Sequence, residues 1–351
     1  MARAATMLSV VSSRRRATTT QLSLFEAPPA GPERVETSGD RLRAAHEEAA
    51  RIAARLPPEL RMGTSSWSFS GWEGIVYSRH RSAQDLARDG LDEYARHPLL
   101  TTVGIDRSFY ASVPDADYAR YARQLPPGFP CVSKAPHAVM AQVLPVEPGD
   151  HRVAPNPEFL SLPRFLYMLG QPLLTVFREH AGPVLLEFPP VGPANRLPPR
   201  EFFARLDAFL GSAPRELRFA VELRERAYLT PEYGEVLRAH GAAHACTYWR
   251  GMPTPGTQAR VVPVTNAPFA LLRLSLKPGR DYEQEKERFA PFDRIQEPDP
   301  RMRAEVVDLL CTAAAAGLPA FVLVNNKAEG SAPLTVRALA ELVAAGRAGA
   351  V

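Results

Sequence analysis

The sequence predicts a (β/α)8 TIM barrel preceded by a flexible arm. Three observations carry this. Eight short apolar runs, each closing at or beside a polar or charged residue, are spread over residues 60–326. Most are followed by an amphipathic stretch of helix length. The chain has 351 residues, 45% of them hydrophobic and 23% charged, so it can hold one large barrel or two ordinary domains. Strand then helix, repeated eight times, is the pattern of a closed parallel sheet.

Each element follows in order. Residues 1–38 are rich in Ala, Ser, Thr, Arg and Pro and lack sustained periodicity, which predicts a disordered tail. The segment 39–58 holds a charged amphipathic helix, Asp40–Leu56, with apolar positions Leu42, Ala45, Ala49, Ile52 and Ala53 at helical spacing. Pro57 and Pro58 end it, and we expect it to cover the bottom of the barrel. The barrel domain spans 59–346. Its strands read Leu60–Ser65, Leu100–Asp106, Phe129–Lys134, Pro183–Phe188, Arg218–Glu222, Ala243–Tyr248, Phe269–Leu274 and Ala320–Asn326. Ser82–Arg96, with Ser82 as N-cap, is the first outer helix and Asp115–Gln124 the second. Ser133–Pro157 is a long loop punctuated by proline, and Glu158–His180 carries helix broken near Gly170-Gln171-Pro172. Pro199–Leu210, Pro231–His240, Arg301–Ala315 and Pro333–Ala345 complete the helices. The pattern fails in Trp249–Val262, where a helix is missing or very short, and Lys277–Pro300 is a long charged excursion.

Composition excludes several classes. Cys131, Cys246 and Cys311 are too few and too widely spaced for a disulfide framework. No CxxC or HExxH spacing marks a zinc site. No apolar stretch approaches a membrane span. The basic, acid-poor start is shared by transit peptides and disordered tails, and we read it as a tail on a cytoplasmic protein. The net charge of +4 permits nucleic acid binding without arguing for it.

Six ordered segments resemble one family, domain of unknown function 72 (YecE-like). They are Gly63-Thr64-Ser65-Ser66-Trp67-Ser68 with Trp72-Glu73-Gly74; Ser108-Phe109-Tyr110 after the second strand; Pro126–Gly128 with Val132-Ser133-Lys134-Ala135-Pro136; Leu185-Leu186-Glu187-Phe188-Pro189-Pro190; Val221-Glu222-Leu223-Arg224; and Val324-Asn325-Asn326 with Gly330 and Ala332. The resemblance covers roughly residues 60–345 and implies a barrel with no settled reaction. The chain departs from the family pattern at three places. Gly104 stands where the family has Glu, Glu225 where it has His, and Arg273-Leu274-Ser275-Leu276 where it ends strand seven with His-Gly. These losses mark a divergent or non-catalytic branch.

Barrel chemistry sits at the C-terminal strand ends. Lys134, Glu187, Glu222 and Arg224 are therefore the candidate catalytic residues. A carboxylate beside Lys or Arg can act as general base on an anionic substrate, and Glu187 with Glu222 could share a divalent metal; a satisfied ion-pair network is the alternative. Glu187 could also point outward into the helix layer. Arg273, Asn325 and Asn326 are candidate ligand-binding residues, the last two opening a Gly330 loop that cradles a phosphate or merely caps a turn. Trp67 and Tyr110, with Trp72 and Phe109, are candidate walls of a pocket for a sugar or base, and His137 is a candidate proton carrier. In the tail, Gln21-Leu22-Ser23-Leu24-Phe25 matches the pentapeptide by which bacterial replication and repair proteins bind the DNA sliding clamp. Leu24 and Phe25 would enter an apolar pocket while Gln21 bonds its rim and Leu22 completes the peptide. The functional expectation is a DNA-repair-associated hydrolase or nuclease-like enzyme tethered to the clamp, acting on DNA or a phosphorylated ligand. The alternatives are a non-catalytic clamp-associated binding protein and a small-molecule barrel enzyme on sugars or phosphates.

Overall fold

A computed structural model describes residues 38–348 except Pro148 and Asp150. Eight parallel strands close into a barrel: β1 Leu60–Thr64, β2 Thr102–Ile105, β3 Cys131–Lys134, β4 Ala181–Phe188, β5 Phe219–Leu223, β6 Ala243–Tyr248, β7 Ala270–Leu274 and β8 Ala320–Val324. Neighbours in sequence are neighbours in the sheet, and β1 pairs with β8 to close it. This is the TIM-barrel architecture, and the strand bounds fall within a few residues of the apolar runs.

The strands are apolar on both faces because both are covered. Val132, Leu185, Ala220, Ala245, Leu271 and Leu323 fill the interior as one cluster. Their alternates, including Cys131, Leu186, Val221, Cys246, Leu272 and Val322, join the larger core between sheet and helices. The period of two then fixes what comes next along each strand. Two residues beyond the interior layer stand Lys134, Glu187, Glu222, Thr247, Arg273 and Asn325, all on the face toward the barrel axis. Below the interior, Phe269 and Phe321 meet edge to face with the Arg218 guanidinium against both rings. At Gly63 and Gly104 the backbone of the neighbouring strand leaves no room for a side chain. A Cβ on Gly63 would lie 1.8 Å from the Thr102 carbonyl oxygen, and one on Gly104 2.8 Å from that of Ser65.

The outer layer follows the amphipathic stretches. Ser82 caps Ala83–Asp89 by accepting from Asp85 N–H, but Gly90 divides this helix from Leu91–Tyr94. Leu162–Phe165 and Gln171–Leu174 are joined through a π-turn, Leu166–Gly170, rather than broken. Pro172 cannot donate an amide, and the wider turn absorbs it. The segment after β6 does hold a helix, Pro255–Val261, of 7 residues. Pro300–Ala315 buries Met302, Val306, Leu310 and Ala313, a helical stripe, after Asp299 caps it. The long loop after β3 carries a one-turn helix, His137–Met140, and a two-stranded hairpin, Val143–Pro145 with Val153–Pro155.

The first helix, Ser38–Ala53, lies along the outer layer instead of under the barrel floor. Its Glu48 pairs with Arg337 of the last helix, Ala332–Ala348, and Ala49 and Ile52 are buried. Among the described residues, no helix is long and apolar enough to cross a membrane. Cys131 and Cys246 are buried and free, and Cys311 is exposed and free.

Candidate functional site at the barrel mouth

Six charged side chains from five strand ends meet above the interior layer. Glu187 Oε2 is the hub. It accepts from Lys134 Nζ at 2.8 Å, Arg224 Nη2 at 2.9 Å and Arg273 Nη1 at 2.7 Å. Glu222 stands beside it because the two are register partners on β4 and β5. Glu222 takes Arg224 Nη2 at 2.6 Å, Arg273 Nη1 at 3.1 Å and the Thr247 hydroxyl at 3.2 Å. The other arm of Arg273 reaches Asp106 Oδ2 at 2.8 Å. Three cations thus face three carboxylates. Such burial is tolerable only because every charge is paired.

Aromatic faces complete the packing. The Lys134 ammonium lies 3.5 Å from the centre of the Phe109 ring, and the Arg224 guanidinium 3.6 Å from that of Trp249. His137 meets Phe109 edge to face at 5.2 Å. The Lys327 ammonium sits 4.1 Å from the centre of the Tyr282 ring. Above the network is a cavity of about 290 Å3, lined by Phe109, Tyr110, His137, Trp249, Tyr282, Pro189, Pro190, Ser275 and Asn325 as well as the charged residues other than Glu222, which is fully buried beneath.

The charges reset the proton affinities. Burial would raise the Glu187 carboxyl, but Arg224, Lys134 and Arg273 together hold it well below the usual carboxylate range. Burial pulls the Lys134 amine down, with Glu187 opposing. Burial also disfavours the Arg273 charge, yet Glu222, Asp106 and Glu187 more than reverse this. His137 is lowered by burial and by Lys134, so its imidazole is neutral at pH 7. Glu187 is therefore a weak base, and His137 is the mouth residue best placed to accept a proton.

Of the sequence candidates, Lys134, Glu187, Glu222, Arg224 and Arg273 come together in one network, and Tyr110 and Asn325 line the cavity above it. Glu187 points inward, not into the helix layer, as its alternation with Leu185 requires. Trp67 and Trp72 do not wall the pocket. Trp67 is buried in the sheet–helix layer, donates from Nε1 to the Leu86 carbonyl at 2.8 Å and packs on Tyr121. Trp72 is buried against Phe69 and Tyr77. Asn326 is a turn residue, its Oδ1 accepting from Ala332 N–H at 2.8 Å. The phosphate cradle after β8 also fails. The amides of Lys327, Ala328, Gly330 and Ala332 all bond within the loop, and Gly330 packs against the backbone of residues 294–296. Gln21, Leu22, Leu24 and Phe25 lie outside the described residues.

Three site residues escaped the sequence reading, Asp106, Trp249 and Tyr282, as did Lys327, which packs on Tyr282 from beside the cavity. Asp106, two residues past Gly104, brings the third carboxylate to the network by pairing with Arg273. Glu225, at the family's His position, accepts from Val191 N–H at 2.9 Å and Arg196 at 3.2 Å, fixing the loop after β4.

The donor set does not fit a divalent cation. Three cationic side chains crowd Glu187 and Glu222, and the described residues contain no cluster of three or more His, Cys, Asp or Glu able to hold a metal. The expectation of a shared metal at Glu187 and Glu222 is dropped on that ground.

Comparisons with known proteins agree with the fold. A DUF72 family protein from Enterococcus faecalis superposes with a TM-score of 0.56 at 17% identity, covering 81% of this chain and 95% of that one. A DUF72 family protein from Thermotoga maritima gives 0.53 at 18% identity, covering 82% and 98%. No curated protein matches the chain. The family model described as "Protein of unknown function DUF72" matches residues 61–350, nearly the whole barrel, and the chain therefore belongs to the DUF72 family.

Proposed function

We propose that the barrel mouth binds a small organic anion and acts on it by electrostatics and proton transfer. The observation that supports this is the layer of three buried cations and three carboxylates beneath aromatic walls. Lys134, Arg224 and Arg273 offer fixed donors where negative charge develops. His137, neutral and at the cavity wall, is the proton acceptor. A metal-dependent nuclease is not carried forward, because the donor set is already neutralised.

The test is thermal shift against small carboxylates and phosphate monoesters. A ligand at 100 times its Kd adds about 2.7 kcal/mol. Tyr110 is 79% exposed, so Tyr110→Ala should keep the unliganded melting temperature while reducing the shift. A panel in which no anion raises the melting temperature sinks the proposal.

The tail carries a separate part of the proposal: Gln21–Phe25 tethers the protein to a bacterial DNA sliding clamp. The pentapeptide match supports it. The intact chain should bind the clamp and a Leu24→Ala/Phe25→Ala variant should not. Equal binding by both, or none by either, removes the tether.

A further inference from the structure

The inner network is balanced, three cations against three carboxylates, so it offers directional donors to an incoming anion but no net positive charge. A further cation, Lys327, stands beside the mouth, behind its Tyr282 wall. Lys327 lies on the turn Asn326–Ala328 directly after β8, is only 5% exposed, and rests on the face of Tyr282, itself a cavity residue. Among the described residues it pairs with no carboxylate. A buried ammonium without a counter-ion is costly. Burial and Lys286 push its amine down to about 8, with Glu283 and Asp106 opposing.

A second observation lies on the same side of the barrel. Ser65 Oγ, Ser275 Oγ, Asn326 Nδ2 and Ser331 Oγ are buried without a hydrogen-bond partner. Asn326 and Ser331 lie on the loop that carries Lys327, and Ser65 and Ser275 follow β1 and β7, the two strands that pair with β8. A buried polar atom without a partner calls for a water, an ion or a polar guest to satisfy it. The backbone amides of the loop after β8 are already used, which leaves side-chain charge to meet the guest.

We infer that Lys327 is the anion-recognition residue of the mouth, taking a phosphate-type oxyanion of the ligand on the β7–β8 side while its organic part lies against Tyr282, Tyr110 and Trp249. This rests on the anion-binding proposal above and assigns its charge contact. Lys327 acts as a point charge, leaving the ring of Tyr282 to reach the oxyanion.

The experiment uses the full chain with inorganic phosphate and, separately, acetate as probes. Calorimetry should show phosphate binding that exceeds acetate binding. Lys327→Met should weaken it by about tenfold or more, and Lys327→Arg should retain most of it. Phosphate should also protect Lys327 of the unaltered protein from trinitrobenzenesulfonate, mapped by peptide mass. This second readout stands even if a variant folds poorly. Unchanged phosphate affinity in Lys327→Met, or equal labelling of Lys327 with and without phosphate, overturns the inference and leaves the mouth as an anion site by other contacts. Tighter binding of acetate than of phosphate overturns the phosphate assignment. No binding of either probe, together with no stabilisation by any organic anion, overturns both.

Discussion

Replacing Glu187 with Gln should unbalance the barrel mouth. Glu187 Oε2 serves Lys134, Arg224 and Arg273, and its side chain is only 10% exposed. Glutamine keeps the shape but leaves one positive charge too many. Arg224 and Arg273 still hold Glu222, and Arg273 still holds Asp106, so the orphan is Lys134. Breaking one partner of a buried pair costs about 3–5 kcal/mol. At about 2–4 °C per kcal/mol for a large domain, the melting temperature should fall by about 6 °C or more. Glu187→Gln/Lys134→Met removes both charges and should recover about 2 kcal/mol relative to the sum of the single changes. Acid adds a second signature. The Glu187 carboxyl is depressed in the fold, so its stabilisation is fully present above the unfolded value of 4.5 and is lost as pH falls below it. The parent protein should therefore lose stability more steeply than Glu187→Gln below pH 4.5. Thermal and urea melts of the four proteins across pH 3–7 decide it. Additive losses in the double variant, or a single variant melting within about 2 °C of the parent, would refute the charge-balance reasoning.

Two further outcomes are expected. Gly104→Ala should destabilise the barrel by about 1–3 kcal/mol in a urea melt, because its Cβ would press on the Ser65 backbone; a neutral result would mean β1 and β2 can part there. Trp249→Ala should cost about 1 kcal/mol of stability, through the lost face under Arg224, and should weaken anion binding in the same thermal-shift panel. Anion binding equal to the parent's would show that Arg224 holds its pose on the carboxylates alone.

The barrel was legible because a parallel strand covered on both faces must be apolar throughout, and eight such runs cannot be hidden. The inward layer was legible too, since Lys134, Glu187, Glu222 and Arg273 close those runs. Asp106 ends the second run and is its only carboxylate. Period two places residues 104 and 106 on one face, and that signal was present. Trp67 misled because an aromatic just past a strand end can turn either way, and Trp67 turns toward the helices. Trp249, Tyr282 and Lys327 reach the mouth from loops. Loop paths depend on long-range packing, such as Glu297 gathering Lys277, Arg280 and Arg288 around the excursion after β7, which no local spacing encodes.

The mutual dependence of the six strand-end charges has an evolutionary consequence. A change at any one of them upsets the balance of three against three, so drift there favours paired substitutions. Tyr110, Trp249 and Tyr282 stand outside that charge balance and are freer to vary. A lineage built on this barrel would keep its floor and trade its walls, acquiring new ligands through loop aromatics. Directed evolution of this protein should begin at those three positions.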